Sequence, residues 1–235
     1  MPDNAGMLHD ITRPATRFLA MQPWFAALPV ESQTRVAERV FTQAGSKGDV
    51  MLAAGSPVKG WYAVLSGLVK LQSPSAQGRL SAFLGVPDGE WFGEGSALKS
   101  EPRRYDVIAL RDTELLCLPR AQFDELRASS LEFNQYLVSH LNMRLGQAMA
   151  IIEAGRLRSP EQRVALYLSR LFWRGRSRLN LSQEELGHLV GLSRQTVNRV
   201  LKSLAQRGLV SLEFGRVAIL DDDALTSYLA SPGAD

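Results

Sequence analysis

At 235 residues, 45% hydrophobic and 22% charged, the chain has the composition of a soluble globular protein and is long enough for two ordinary domains. No apolar run reaches the ~20 residues that a membrane helix needs, and the N-terminus MPDNAGMLHDITRPATRF has no apolar signal core, so no membrane partner and a cytoplasmic location are expected. The net charge of +3 is spread unevenly: residues 156–220 hold twelve Lys/Arg and four Asp/Glu, net +8, while the remainder carries fifteen basic and twenty acidic residues, net −5.

In chain order, residues 1–20 read as a flexible N-terminus. Residues 35–120 look like short strands punctuated by turns. Trp61–Leu71 reads as strand, Gly turn, strand, and Val107–Leu110 and Glu114–Leu118 are two further β-rich runs. Lys47-Gly48-Asp49, Ala54-Gly55-Ser56-Pro57 and Pro87-Asp88-Gly89 are turn signals. Several short strands at this spacing suggest a barrel or jelly roll. Pro119 opens a helical region, with a short helix at Ala121–Arg127 and a long one from Leu131 to Arg156. On the long helix, Val138, Leu141, Leu145, Ala148 and Ile152 step by three and four, a coiled-coil seam that suggests a parallel dimer. The alternative is a helix packed on its own barrel, with Phe133, Leu137 and the Met149 side covering it. Ser159-Pro160 interrupts the pattern and places Pro at the start of a further helix, Glu161–Trp173.

The segment from Leu181 to Leu220 then reads as helix, tight turn, helix and β-hairpin. Ser182 with Glu185 forms a capping box, Gly187 allows two helices to approach closely, Gly191 supplies the turn, and Ser193 caps the second helix. Leu186, Leu189, Val190, Leu192, Val197, Val200, Leu201 and Leu204 are spaced as a buried face. The opposite face carries Arg194, Gln195, Asn198, Arg199 and Lys202. An arginine donates two hydrogen bonds to guanine, and Asn or Gln pairs bidentately with adenine, each good pair giving roughly 1–3 kcal/mol of base discrimination. Lys202 and the Ser193 and Thr196 hydroxyls suit phosphates, which position without specifying. Leu209–Leu212 and Arg216–Leu220 flank Glu213-Phe214-Gly215 as a hairpin wing, with Arg216 placed for phosphate. Together with the basic charge of this third of the chain, the pattern predicts binding to double-stranded DNA.

The run LSQEELGHLVGLSRQTVNRVLKSLAQRGLV resembles the Crp/Fnr family of bacterial transcription regulators. Lys47-Gly48-Asp49, Val64-Leu65-Ser66-Gly67 and Trp91-Phe92-Gly93-Glu94-Gly95-Ser96-Ala97-Leu98 resemble that family's cyclic-nucleotide-binding-like β-roll, so the likeness covers about residues 24–225. It implies an α+β fold: a flexible stretch at 1–20, a β-roll (jelly-roll) sensor domain at 21–128, a long dimerisation helix at 129–157, and a winged helix-turn-helix DNA-binding domain at 158–235. It also implies a homodimer on a palindromic operator, RNA polymerase as a partner, and a small-molecule effector in each roll.

In cyclic-AMP-binding members, the Glu of F-G-E holds the ribose hydroxyl and an Arg holds the cyclic phosphate. The matching residues here are Glu94, after Gly93, and Arg103. Arg104 and Tyr105 stand where a small residue and Ala are expected. Ala148 and Met149 occupy the positions of the adenine-contacting hydroxyls, so the adenine contacts of a cyclic nucleotide are missing. The two adjacent arginines suit an anion, or are surface residues paired with Glu101 or Asp106.

Other effectors are weighed by residue type. The single cysteine, Cys117, argues against an internal disulfide and against a cysteine-ligated iron–sulfur cluster, and a thiol in a strand reads as core packing. Haem would need an axial ligand. Of His9, His140 and His188 only His140 falls near the expected sensor region, and a lone His on a long helix is usually structural. No metal site is expected.

No Gly-rich phosphate loop, HExxH or nucleophile elbow is present, so no enzyme is expected. A pure small-molecule-binding module would leave the basic helix-turn-helix unexplained. An effector-independent regulator, or a sensor whose ligand is not cyclic AMP, stays open as the alternative.

Overall fold

The apolar run GWYAVLS forms a strand, Gly60–Ser66, whose first five residues are all buried because it lies inside a four-stranded antiparallel sheet. In the computed structural model, residues 14–74, 80–157, 159–169, 171–173, 178–213 and 216–230 are described. The chain divides into two compact units, one of Met1–Ser73 and Val86–Asn142, the other of Pro74–Gly85 and Met143–Asp235.

The first unit begins with a helix, α1, at residues 14–20, then α2 (Pro23–Ala26) and α3 (Val30–Arg39). Strands follow as β1 (Phe41–Gly45), β2 (Val50–Leu52), β3 (Gly60–Ser66), β4 (Leu68–Pro74) and β6 (Trp91–Phe92), while β5 (Leu80–Pro87), between β4 and β6 in the chain, falls mostly in the second unit. After a short helix α4 (Glu94–Lys99) come β7 (Asp106–Ala109) and β8 (Thr113–Pro119), then helix α5 (Arg120–Ser129). One sheet runs β1–β8–β3–β6, with Tyr62 opposite Cys117 on β8 and Phe92 on β6. The other places β7 between β2 and β4. The strand–Gly–strand reading at 61–71 and the two later β runs therefore stand.

Residues 14–20, expected within a flexible N-terminus, are instead helical and bury Ala15, Phe18 and Leu19. Ala15, one helical turn before Phe18 and Leu19, shares their face, and the three join an aromatic core with Trp24, Phe25, Trp61, Trp91, Phe123 and Phe133. Gln22, itself buried, accepts the Trp91 indole N–H at 3.0 Å, which satisfies a polar group inside this core. Residues 1–13 lie outside the described residues.

The long helix α6 spans Leu131–Leu157. Ser130 caps its start by accepting the Phe133 amide at 3.1 Å. Phe133 and Leu137 are buried in the first unit's core, whereas Val138, Leu145 and Ile152 are 66%, 58% and 58% exposed. Met149 departs from the expectation that its side of the helix covers the barrel: it is 64% exposed. Twelve residues after Leu137, it lies about 120° around the helix from it, off the face that Phe133 and Leu137 bury.

In the second unit, α7 (Pro160–Leu168) starts with Pro at its first position and a full capping box between Ser159 and Gln162. It ends at Leu168, not at Trp173 as the apolar spacing suggested. The chain turns back there: the Trp173 indole donates to the Tyr167 carbonyl and Phe172 stacks on Tyr167 at 4.6 Å. The apolar residues beyond Leu168 thus reach the core through a turn. Next come β9 (Arg178–Leu179), α8 (Gln183–Val190), α9 (Arg194–Gln206), β10 (Val210–Glu213), β11 (Arg216–Ile219) and α10 (Asp222–Ala230). The strands form an antiparallel sheet of order β10–β11–β9. β9 and α10 lie outside the elements expected from the sequence. Asp221 accepts the Ala224 amide at 2.8 Å, and this Asp followed by Asp222 and Asp223 is the cap signal that marks α10.

Candidate functional site

The α8–α9 pair is built by its caps and its glycines. Ser182 accepts the Glu185 amide at 3.2 Å and Glu185 accepts the Ser182 amide at 2.7 Å, closing the first turn of α8. At the other end Gly191 has φ 67°, a left-handed cap that a β-carbon would strain, and its N–H returns to the Gly187 carbonyl. The Leu192 N–H reaches the same carbonyl at 3.0 Å. Ser193 then opens α9 by accepting the Thr196 amide at 3.1 Å.

Gly187 is required for close approach. A β-carbon there would lie 2.8 Å from the Leu192 carbonyl oxygen, a backbone atom that cannot swing aside. Gly187→Ala is expected to destabilise the protein by about 1–3 kcal/mol through this overlap, partly offset by the ~1 kcal/mol helix preference of Ala over Gly. Thermal denaturation reads the net loss. An unchanged melting temperature would mean that the turn relaxes freely.

Leu186, Leu189, Val190, Val197, Val200, Leu201 and Leu204 are buried as expected, and Leu192 is half-buried. Their burial turns the other face of α9 outward. Arg194, Gln195, Arg199 and Lys202 are exposed, Asn198 is half-exposed, and these five with Gln183 of α8 line one concavity of ≈ 580 Å³. The five predicted base and phosphate readers of α9 are therefore brought together. Gln183 is an addition that sequence reasoning missed: its Oε1 accepts the Asn198 Nδ2–H at 2.9 Å. The Ser193 and Thr196 hydroxyls share a hydrogen bond of 2.9 Å at the mouth of α9, so one hydroxyl proton of the pair stays available for an outside acceptor. In the hairpin, Glu213 sits opposite Arg216, and Arg216 is exposed at the tip end of β11. The turn residues 214–215 lie outside the described residues.

In the roll, the expected effector residues separate. Gly93, in the left-handed conformation at φ 86°, precedes Glu94 at the start of α4. The Glu94 carboxylate faces the His140 imidazole at 3.5 Å. His140 is 3% exposed, stacked on Tyr136 and edge-on to Trp61, so its ring is held by packing.

Arg103 is only 2% exposed. Its guanidinium lies 5.3 Å from the Tyr62 ring centroid and 6.0 Å from that of Tyr105, and a β-carbon on Gly93 would be 3.2 Å from Nη1. Its Nε and Nη1 have no hydrogen-bond partner among the described residues. Arg104 does not join it: it turns outward and pairs with Glu101 at 2.9 Å. Adjacent residues in an irregular segment point opposite ways, and only one of the two arginines enters the interior. Ala148 and Met149 belong to the second unit and are exposed.

Cys117 is buried beside Tyr62. Burial pushes its thiol up to about 12, against the lowering effects of the Tyr62 hydrogen bond, Arg103 and Lys59, so it stays protonated at neutral pH. Burial likewise raises the Tyr62 phenol above its usual range. The residue therefore serves core packing rather than thiolate chemistry.

A β-roll joined by a long helix to a winged helix-turn-helix defines a DNA-binding transcription regulator with a sensor-type first domain. Residues 43–130 match the family model for a cyclic nucleotide-binding domain, and residues 162–228 match that for a Crp-like helix-turn-helix domain. The chain is 34% identical over 159 residues to a cyclic AMP receptor protein of Thermus thermophilus, covering 67% of this chain and 74% of that one. It is 31% identical over 209 residues to the transcriptional regulator SdrP of the same organism, covering 85% of this chain and 98% of that one. A solved transcriptional regulator of the CRP/FNR family from Thermus thermophilus superposes with a TM-score of 0.57 at 29% identity, over 82% of this chain and all of that one. The chain belongs to the Crp/Fnr family of transcription regulators. Among the described residues no helix is long and apolar enough to cross a membrane.

Proposed function

We propose that the protein acts as a homodimer that reads a palindromic DNA site with α9 of each protomer and answers to an anionic effector in the roll. The outward face of α9 carries this reading: Arg194, Gln195, Asn198, Arg199 and Lys202 surround one concavity. Arg194, Gln195, Asn198 and Arg199 meet base edges in the major groove. Ser193, Thr196, Lys202 and, on the wing, Arg216 meet phosphates and set the register. The exposed apolar stripe of α6 supports the dimer, and a dimer of these regulators offers RNA polymerase a bound platform.

The effector end is supported by one observation, the buried Arg103 guanidinium with two unmet donors. Leaving buried donors unmet costs about 1–3 kcal/mol each, so an anion that accepts them is favoured. Glu94, beside Gly93, is the next polar group of that region and is engaged by His140. The first unit's residues fit an anion, and Ala148 and Met149, which match the family's adenine-contacting hydroxyl positions, carry no polar side-chain group. The cyclic AMP recognised by a relative is therefore not carried over to this chain.

Gel shift of the purified protein against its operator and against random duplex tests the DNA end. Lys202 and Arg216 of each protomer neutralise four phosphates per dimer, which gives a fall of roughly 10²-fold in affinity between 50 and 200 mM salt. A flat salt response removes the reading. Arg194→Ala is expected to lose about 5–150-fold in preference for the operator over random duplex, equivalent to the roughly 1–3 kcal/mol of one bidentate pair. Lys202→Ala should weaken both duplexes alike. Equal loss on both by both variants refutes the division of roles.

A further inference from the structure

We propose that Gln183, at the start of α8, orients the Asn198 amide so that Asn198 reads adenine, which makes Gln183 a specificity-determining positioning residue. This rests on the DNA-reading assignment above. Gln183 is the first residue of α8, placed by the Ser182–Glu185 capping box, and Asn198 lies on the second turn of α9. The tight Gly187–Leu192 approach fixes one helix against the other. Across that junction the Asn198 Nδ2 donates to the Gln183 Oε1 at 2.9 Å, and both side chains border the concavity of the recognition face.

A planar carboxamide has two N–H groups and one oxygen. One N–H points away from the oxygen and the other lies alongside it. With the first given to Gln183, the second N–H and Oδ1 form a donor–acceptor edge free to face DNA. Adenine offers the complement in the major groove, N7 as acceptor and the N6 amino group as donor. Rotating the Asn198 amide by half a turn would set Oδ1 against the Gln183 Oε1, two acceptors at hydrogen-bond distance, so Oε1, as it faces Asn198 here, holds the adenine-reading orientation, and Gln183→Glu, which has no donor to turn inward, isolates that role. A donor at position 183 would hold the reverse one, occupying Oδ1 and leaving no acceptor for N6.

Selection of bound duplexes from a random pool by the full-length protein, sequenced to give base preference at each position, tests this. Asn198→Ala is expected to flatten one adenine in each half-site. Gln183→Leu should lower the preference for that same adenine about fivefold or more, part of the discrimination of one bidentate pair, and leave the other positions unchanged. Gln183→Glu, an acceptor of nearly the same shape, should restore the adenine preference while weakening all sequences, because it adds a negative charge at the DNA face. Gln183→Lys should abolish the preference while strengthening binding to every sequence. Melting temperatures within a degree or two of wild type confirm that the variants are folded. If Gln183→Leu keeps the adenine that Asn198→Ala loses, or Gln183→Glu fails to restore it, Gln183 does not position Asn198. If Asn198→Ala changes no position, Asn198 is not a reader and the proposal fails while DNA reading stands. A wild-type protein that enriches no sequence sinks the DNA reading itself, and the proposal with it.

Discussion

Leu145→Glu is expected to turn the protein into a monomer and to weaken binding to a palindromic operator roughly 10²–10⁴-fold, the gain that linking two readers normally supplies. Leu145 sits mid-way along the stripe Val138, Leu141, Leu145, Ala148 and Ile152, whose alternating steps of three and four keep it on one side of α6. Val138, Leu145 and Ile152 remain mostly exposed in the single chain, whereas Leu141 is partly buried against the core that already holds Phe133 and Leu137. Large apolar residues left exposed along one side of a helix mark an interface. In a parallel pair the two Leu145 side chains meet near the two-fold axis, so the substitution would place two carboxylates together in an apolar seam, a cost well above that of one lost leucine. Sedimentation reads the oligomeric state and gel shift reads the affinity. Ser139→Glu, exposed on the same helix but off the stripe, should leave both unchanged. A Leu145→Glu protein that sediments as a dimer would move the interface elsewhere.

What could be read in advance was what local chemistry dictates. The capping box at Ser182 and Glu185, the left-handed Gly191 and the alternation of apolar and polar residues on α9 each have a short-range cause, and each is found in the structure. The same held for the turn at Gly67 and the strands beside it. What escaped depends on groups that meet across the fold. Arg103 and Arg104 are adjacent and chemically alike, and only packing against Tyr62 and Gly93 decides which of them is taken inside. The partnership of Gln183 with Asn198 joins residues fifteen apart through the angle between two helices. Met149 lies about 120° around the helix from Leu137, so it is not on the face that Phe133 and Leu137 bury, and counting turns along α6 separates the two. The turn after Leu168 also escaped: Phe172 and Trp173 continue an apolar rhythm that the chain satisfies by folding back on Tyr167. The functional ends of the molecule divide along the same line. The DNA face is a property of one helix and its caps, whereas the surroundings of the buried Arg103 draw on Gly93 and Tyr62, and Glu94 meets His140 only through the fold.

Trp61→Ala is the second large effect, an expected loss of about 3–5 kcal/mol in the stability of the roll. Trp61 is fully buried on β3, the strand that lies between β8 and β6. It stacks on Trp91 at 4.3 Å between ring centroids and meets Trp24, Phe123, Phe133, Tyr136 and His140 within 6.5 Å. These partners come from α2, β6, α5 and α6, so removing the indole opens a void that no single element can close by shifting. The contrast with Trp61→Phe isolates the cause. The indole N–H of Trp61 is buried with no acceptor among the described residues, and Phe keeps most of the ring contacts while deleting that unmet donor. Trp61→Phe is therefore expected to cost less than half as much as the alanine variant. Denaturant unfolding followed by tryptophan emission measures both, because Trp24 and Trp91 remain in the same cluster and report its loss. A Trp61→Ala loss below about 1 kcal/mol would mean that the cluster repacks around the gap. A Phe variant as damaged as the Ala variant would mean that the indole N–H finds a partner in solution. The same pair of variants bears on the switch: Trp61 supports the His140 ring that faces Glu94, so the alanine variant is also expected to weaken the response to any anion bound at Arg103 more than the phenylalanine variant does.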